Sequence, residues 1–192
     1  MPKINHIHPE YLTEEQVLNI AKHCLTKEDA MLVKLLFYTG ARISEILAVK
    51  PMDIDFDKAT VKLPALKRSR VVRRKKVVIK RKPPTYKFAV IPDYFLPELR
   101  EFIKGKPEDR KLFNISRQLA YARIRIAAIK AGIKGVYCHL LRDSLATNWA
   151  LRGGSLTILQ RQLGHASLST TTDRYIRYST ADIKEEVAKV FK

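Results

Sequence analysis

Five side chains of this 192-residue chain have the types and the order that phosphodiester chemistry requires: Arg42, His139, Arg142, His165 and Tyr175. Two guanidinium groups can bind the non-bridging oxygens of a phosphate and stabilise the charge that develops at phosphorus. A tyrosine hydroxyl can attack phosphorus, a histidine can accept its proton, and a lysine can protonate the leaving 5′ oxygen. Taken singly, each residue also has an ordinary structural explanation. Only their order and spacing together favour chemistry.

Four features around these residues resemble the tyrosine recombinase (phage integrase) family. They are the segments 39–49 (TGARISEILAV), 139–147 (HLLRDSLAT) and 163–171 (LGHASLSTT), followed by Tyr175. The resemblance extends over nearly the whole chain. It implies a mostly α fold with a small antiparallel β-sheet (α+β), similar to the catalytic domain of that family.

The resemblance implies a role for each of the five residues. Arg42 and Arg142 would clamp the scissile phosphate. His139 would act as general base or proton relay, and His165 would hydrogen-bond the phosphate. Tyr175 would form a 3′-phosphotyrosyl bond, leaving a free 5′ hydroxyl.

The family also has a catalytic lysine in a β-hairpin before a strand that ends in proline. Residues 80–92 resemble that hairpin, and we predict Lys82 as the lysine, with Lys80 and Lys67 as alternatives. Glu45 matches an acidic position of the family one helical turn after the first arginine. We expect it to orient a neighbouring catalytic group, the alternative being an ordinary exposed helix residue.

The positive charge of the chain is concentrated in one region. The chain has 37 Lys and Arg against 19 Asp and Glu, a formal net charge of +18. Residues 58–92 contain many of the basic residues and no acidic ones, interleaved with short apolar runs, which predicts a basic β-hairpin region that binds nucleic acid. The predicted contacts to double-stranded DNA are Lys67, Arg68, Arg70, Arg73, Arg74, Lys75, Lys76, Lys80, Arg81 and Lys87.

Other classes of function lack their sequence signals. Two cysteines in a chain of this length do not make a disulfide scaffold, and Cys24 and Cys138 lack the spacing of a zinc site. No glycine-rich phosphate loop and no paired acidic cluster is present, so we expect a reaction without metal, ATP or another cofactor. The apolar stretches are too short to span a bilayer and no signal core is present, so we expect no membrane contact and a cytoplasmic protein.

Apolar periodicity and capping residues predict short helices on both sides of the basic region. The capping box Thr13–Gln16 begins the first helix, and Gly40 ends the second. We expect a single catalytic domain over residues 1–192, with a C-terminal helix at 180–192 and without the N-terminal core-binding domain of the family. The apolar stripe of that last helix either packs on its own domain or docks onto a neighbouring protomer.

The sequence therefore predicts a site-specific DNA recombinase or integrase that works as a homo-oligomer, a tetramer, on DNA and as a monomer when free. Two alternatives remain open at this point. One is a type IB topoisomerase, which uses a similar set of residues. The other is a DNA-binding protein that keeps the fold without catalysis.

Overall fold

The computed structural model describes residues 11–64 and 85–164. The helices of this part are α1 (Glu14–Lys22), α2 (Lys27–Thr39), α3 (Ile43–Ile46), α4 (Leu96–Ile103), α5 (Arg117–Lys130), α6 (Cys138–Leu151) and α7 (Leu156–Leu163). The strands are β1 (Ile54–Asp55), β2 (Thr60–Pro64) and β3 (Tyr86–Val90), and single 3₁₀ turns cover Pro51–Asp53 and Asp93–Phe95. The prediction of a mostly helical fold with a small antiparallel sheet is confirmed.

Helix α1 begins at the predicted capping box. The Thr13 hydroxyl accepts from the Gln16 amide at 3.2 Å, and the Gln16 side chain accepts from the Thr13 amide at 2.9 Å. Two N–H groups that the helix end would leave unpaired are thereby satisfied. The buried face of α1 packs on α2 and α5.

Helix α2 is the central helix of the domain, in contact with α1, α3, α5 and α6. It is apolar on nearly every side, as expected for a helix enclosed by other elements. Gly40 ends it with φ of +58°, a left-handed conformation that glycine adopts without the steric cost of a Cβ atom. The chain then turns directly into α3, which places Arg42 at the beginning of that helix.

The sheet has the order β1-β2-β3, and both pairings are antiparallel. Val61, Leu63 and Ala89 are buried on its inner face. Helix α7 is attached to β3 through the side chain of Gln162, whose amide accepts from the Val90 N–H at 3.0 Å and donates to the Val90 carbonyl at 2.8 Å. The same amide nitrogen donates to the carbonyl of Tyr38 on α2, at 3.2 Å.

Short helices follow the sheet, as predicted. Helix α5 begins at Arg117 because the Ser116 hydroxyl caps it by accepting from the Leu119 amide at 3.1 Å. Helix α6 begins at Cys138, which places His139 in its first turn. The predicted C-terminal helix at 180–192 and residues 65–84 of the predicted basic hairpin region lie outside the described residues. In the part of the chain that the structure describes, no helix is long and apolar enough to cross a membrane.

Candidate active site

Arg42 and Glu45 form a close pair at the beginning of α3. Glu45 Oε2 accepts from the Arg42 backbone N–H at 2.9 Å, and its Oε1 accepts from the Arg42 guanidinium at 3.0 Å. A glutamate three residues after the N-cap residue can accept from the N-cap amide, as in one half of a capping box. Glu45 is buried, so the alternative of an exposed helix residue does not apply. The Arg42 side chain keeps 31% of its surface exposed.

Lys87 reaches the same carboxylate from the sheet. The alternation of β3 places Lys87 on the inner face together with Ala89, and only 13% of its side chain is exposed. Its Nζ lies 3.0 Å from Glu45 Oε2 and donates to the carbonyl of Leu163, at the end of α7, at 3.1 Å. An ammonium has three N–H donors, so these two contacts leave one further donor.

Arg142 joins the cluster through the same carbonyl. Its guanidinium is buried and donates through Nη2 to the Leu163 carbonyl at 2.9 Å and through Nη1 to the Gly40 carbonyl. Arg42, Lys87 and Arg142, which we call the cation cluster, are thus connected through two shared acceptors, Glu45 and the Leu163 carbonyl. The last carbonyls of a helix carry partial negative charge, which suits them to hold cations.

The cation cluster has three positive charges against the single negative charge of Glu45. Burial would raise the pKa of Glu45, but the charge of Lys87 and the hydrogen bonds from Arg42 and Lys87 outweigh it and lower the pKa. Burial lowers the pKa of Lys87, and with the charges of the two arginines it outweighs the raising effect of Glu45. The surplus of positive charge suits a phosphate, and a lysine with a lowered pKa is a better proton donor.

His139 is one helical turn before Arg142 on α6. Its Nε2 lies 3.7 Å from Oδ1 of Asp143, four residues further along the helix. The His139 side chain is part-exposed. His139 and Asp143 lie on the same helix as the buried Arg142. This arrangement is compatible with the predicted proton transfer by His139.

The structure brings four of the predicted site residues together: Arg42 and Lys87 contact Glu45, and Arg142 on α6 shares the Leu163 carbonyl with Lys87. Lys82, His165 and Tyr175 lie outside the described residues, as do all the predicted DNA contacts except Lys87. Their roles stay predictions.

Sequence reasoning placed Lys87 among the DNA contacts and missed its position beside Glu45. The run from Tyr86 to Ile91 has apolar residues on both sides of the strand, so alternation alone did not identify the inner face. Lys87 already lies within residues 80–92, the predicted hairpin, but no sequence pattern distinguished it there from Lys82 and Lys80.

The described residues offer neither a metal site nor a reactive cysteine. Within residues 11–64 and 85–164, no three His, Cys, Asp or Glu side chains lie close enough together to hold a metal ion. Burial raises the pKa of both Cys24 and Cys138 to about 12, so these thiols are poor nucleophiles at neutral pH.

Known proteins resemble this chain over most of its length. Tyrosine recombinase XerA of Pyrococcus furiosus is 34% identical over 201 residues, which cover 98% of this chain and 64% of the relative. The solved catalytic domain of bacteriophage HP1 integrase superposes with a TM-score of 0.65 at 20% identity, covering 93% of both chains. XerH site-specific recombinase bound to its difH substrate superposes with a TM-score of 0.67 at 21% identity, covering 96% of this chain and 55% of that chain. These two structures show the likeness of fold.

The chain spans less than two thirds of the length of the curated relatives that it matches, 64% of the Pyrococcus protein and 59% of XerA from Saccharolobus solfataricus. The family model described as "Phage integrase family" matches residues 10–181. That range includes the cation cluster and Glu45. It also includes His165 and Tyr175. The chain therefore belongs to the phage integrase family.

Proposed function

We propose that this chain is the catalytic domain of a site-specific DNA recombinase, which cleaves and rejoins strands of double-stranded DNA through a 3′-phosphotyrosyl intermediate. The observation that carries the proposal is the cation cluster: two arginines and a lysine joined through the buried Glu45 carboxylate and the Leu163 carbonyl, in a chain of the phage integrase family. The names of relatives such as tyrosine recombinase XerA support the same reaction class.

In the proposed reaction, the Tyr175 oxygen attacks the scissile phosphorus and forms a P–O bond while the bond from phosphorus to the 5′ oxygen breaks. The tyrosine proton passes to a base, for which His139 is the candidate on α6. Arg42 and Arg142 stabilise the negative charge on the non-bridging oxygens, assisted by His165. The 5′ oxygen leaves as a hydroxyl, and its attack on a phosphotyrosine of a partner strand reverses these steps.

Lys87 is the proton donor to the leaving oxygen in this proposal, in place of Lys82. Three observations support it: Nζ lies beside the Glu45 carboxylate, burial lowers its pKa, and it shares an acceptor with Arg142. A general acid works best when its pKa lies close to the working pH, and an ordinary lysine lies well above neutrality.

The cleavage step is tested with a nicked DNA site from which the 5′ product diffuses away. We expect a protein–DNA adduct that survives denaturation, and its absence from Tyr175→Phe. No adduct, or an adduct that persists in Tyr175→Phe, overturns the proposal. Relaxation of supercoiled DNA without exchange between sites would favour the type IB topoisomerase.

The role of Lys87 is tested with a substrate whose leaving 5′ oxygen is replaced by sulfur. A thiolate leaves without a proton, so a missing general acid no longer matters. We expect Lys87→Ala to slow cleavage of the oxygen substrate by about 10²–10⁴-fold and to cleave the sulfur substrate at nearly the wild-type rate. Lys82→Ala is the matched control. If Lys82→Ala shows the rescue and Lys87→Ala does not, the assignment to Lys87 is wrong.

The number of protomers that assemble on DNA is also part of this proposal. Exchange between two duplexes cuts four strands, and each cut requires a tyrosine, so we expect four protomers on two DNA sites. Light scattering of the protein with and without DNA measures this. A complex that holds one protomer for each duplex throughout the reaction contradicts it.

A further inference from the structure

The outer face of the sheet is unusually apolar and aromatic. The residues of β3 that face away from the core are Tyr86, Phe88 and Val90, exposed by 48%, 61% and 57%. A sheet with one solvated face normally has polar side chains there. On the same face, the strand pairing places Pro64 opposite Tyr86 and Lys62 opposite Phe88.

The two rings are arranged as a surface for flat ligands. They lie two residues apart on one strand, so their Cα atoms are about 6.8 Å apart, twice the rise per strand residue. Lys62 Nζ lies 4.2 Å from the centre of the Tyr86 ring, which brings one positive charge to the rings. We call Lys62, Tyr86 and Phe88 the aromatic platform. Beside it lies a depression of about 410 Å³, lined by Met52, Lys58 and Phe88 among others.

Lys62 supplies the positive charge of the aromatic platform, because the other charged residues around the depression are engaged with one another or with the backbone. Lys58 lies 3.2 Å from Asp55, which neutralises it. Asp55 also accepts the backbone N–H groups of Asp57 and Lys58, and Asp53 accepts that of Lys50 at 3.0 Å. Both carboxylates are thus engaged within their own turns.

Charge favours nucleic acid over protein as the occupant. The sequence that connects Pro64 to Tyr86, residues 65–84, contains ten Lys and Arg and no Asp or Glu. A polyanion is therefore attracted to the end of the two strands that form the aromatic platform. Exposed rings next to cations bind bases by stacking, with little dependence on base identity.

Single-stranded DNA fits the rings better than a duplex does. In a duplex the faces of the bases are covered by their neighbours, about 3.4 Å apart along each strand. The exposed rings of Tyr86 and Phe88 can stack only on bases whose faces are open, as they are in an unpaired strand. Lys87 lies between the two rings in sequence and points to the opposite face, so β3 connects the aromatic platform with the cation cluster.

We propose that the aromatic platform binds unpaired bases of a DNA strand, with Tyr86 and Phe88 stacking on the bases and Lys62 contacting a phosphate. This inference rests on the proposed function in one respect, that strand exchange supplies unpaired bases near the cleavage site.

The test is the binding of a labelled thymidine oligonucleotide of about fifteen nucleotides, and of a duplex of equal length, to the full chain by fluorescence anisotropy at about 150 mM salt. We expect Phe88→Ala to weaken binding of the single strand by about five- to tenfold and binding of the duplex by less than about twofold. Phe88→Leu keeps an apolar side chain without a ring, and we expect the same loss. Phe88→Trp retains or tightens binding.

Leu25→Ala is the control, since Leu25 is a similarly exposed apolar residue in the connection between α1 and α2. We expect it to bind both DNA forms like the wild type. If Phe88→Ala fails to fold by thermal unfolding, Phe88→Leu and Tyr86→Leu take its place.

Unchanged single-strand binding in Phe88→Leu and Tyr86→Leu overturns the aromatic platform, and so does an equal loss on the duplex. These outcomes are separable from the fate of the recombinase proposal. Adduct formation at a nicked site depends on Tyr175 and can succeed while the aromatic platform fails, or fail while the single strand still binds through Phe88.

Discussion

Glu45 is a buried carboxylate that holds two members of the cation cluster, Arg42 and Lys87. Removing its charge leaves both cations without their shared anion in a region shielded from water. Deleting one partner of a buried ion pair is costly because the other charge stays desolvated. The residue therefore has a structural and a positioning role together, and a substitution there should affect both.

We predict that Glu45→Gln lowers the free energy of unfolding by about 3 kcal/mol at neutral pH, measured by urea denaturation. Glu101→Gln is the control, because Glu101 forms an exposed pair with Lys104 at 3.7 Å, with 77% of each side chain exposed. Such a pair contributes less than about 1 kcal/mol. Equal effects of the two substitutions would contradict the role of Glu45.

The difference in the free energy of unfolding between wild type and Glu45→Gln should depend on pH in a defined direction. The folded protein lowers the pKa of Glu45 below its ordinary value of 4.5, so the stabilisation is fully present above pH 4.5. It is lost as the pH falls through the lowered pKa of the folded state. The difference between wild type and Glu45→Gln should accordingly shrink in acid. A difference that grows below pH 4.5 would contradict the direction of the shift.

At the scale of elements, the turn between α2 and α3 fits closely against α7. A Cβ atom on Gly40 would lie 2.6 Å from Leu163 Cδ2 and 2.8 Å from Leu145 Cδ2. Leu163 is the residue whose carbonyl holds Arg142 and Lys87, so a displacement of its side chain affects the position of two cations.

We predict that Gly40→Ala destabilises the fold by about 1–3 kcal/mol and also lowers the rate of DNA cleavage. Gly132→Ala is a matched control, since Gly132 has φ of +78° and nothing within 4 Å of an added Cβ. It introduces similar backbone strain without touching α7. Thermal unfolding and adduct formation measure the two effects, and equal cleavage by both variants would show that the fit against α7 does not matter.

The helices could be predicted from sequence because their signals are local. Thr13, Gln16 and Gly40 mark helix ends within a few residues, and all three do so in the structure. The pairing of Arg42 with Glu45 follows from their spacing along one helix turn. The meeting of Arg142 with Lys87 could not be predicted, because their common acceptor is a backbone carbonyl, a group that every residue has and no sequence pattern marks.

For the molecule as a whole, the net charge of +18 favours binding of a polyanion, which in the proposed function is DNA. Each phosphate that a lysine or arginine neutralises releases a counterion, so affinity falls steeply with salt. We predict that the affinity for duplex DNA falls by about a hundredfold or more between about 50 and 200 mM salt, as expected when roughly four phosphates or more are neutralised.

Replacing Arg73, Arg74, Lys75 and Lys76 with glutamine should reduce the slope of log affinity against log salt by about 0.9 for each phosphate that is no longer neutralised. Lys104→Gln, at an exposed residue directly after α4, is the control and should leave the slope unchanged. An unaltered slope in the fourfold variant would mean that the basic region is not the main surface that binds DNA.

The hydrogen bonds between Gln162 and Val90 affect whether two copies of the protein can associate through their sheets. In the described part of the chain, β3 is an outer strand of the sheet, and such a strand offers N–H and C=O groups to any extended segment that approaches. The Gln162 amide makes the two bonds that an added strand would make at Val90. Strand addition between molecules is therefore blocked at this position, which protects this edge of the sheet from aggregation.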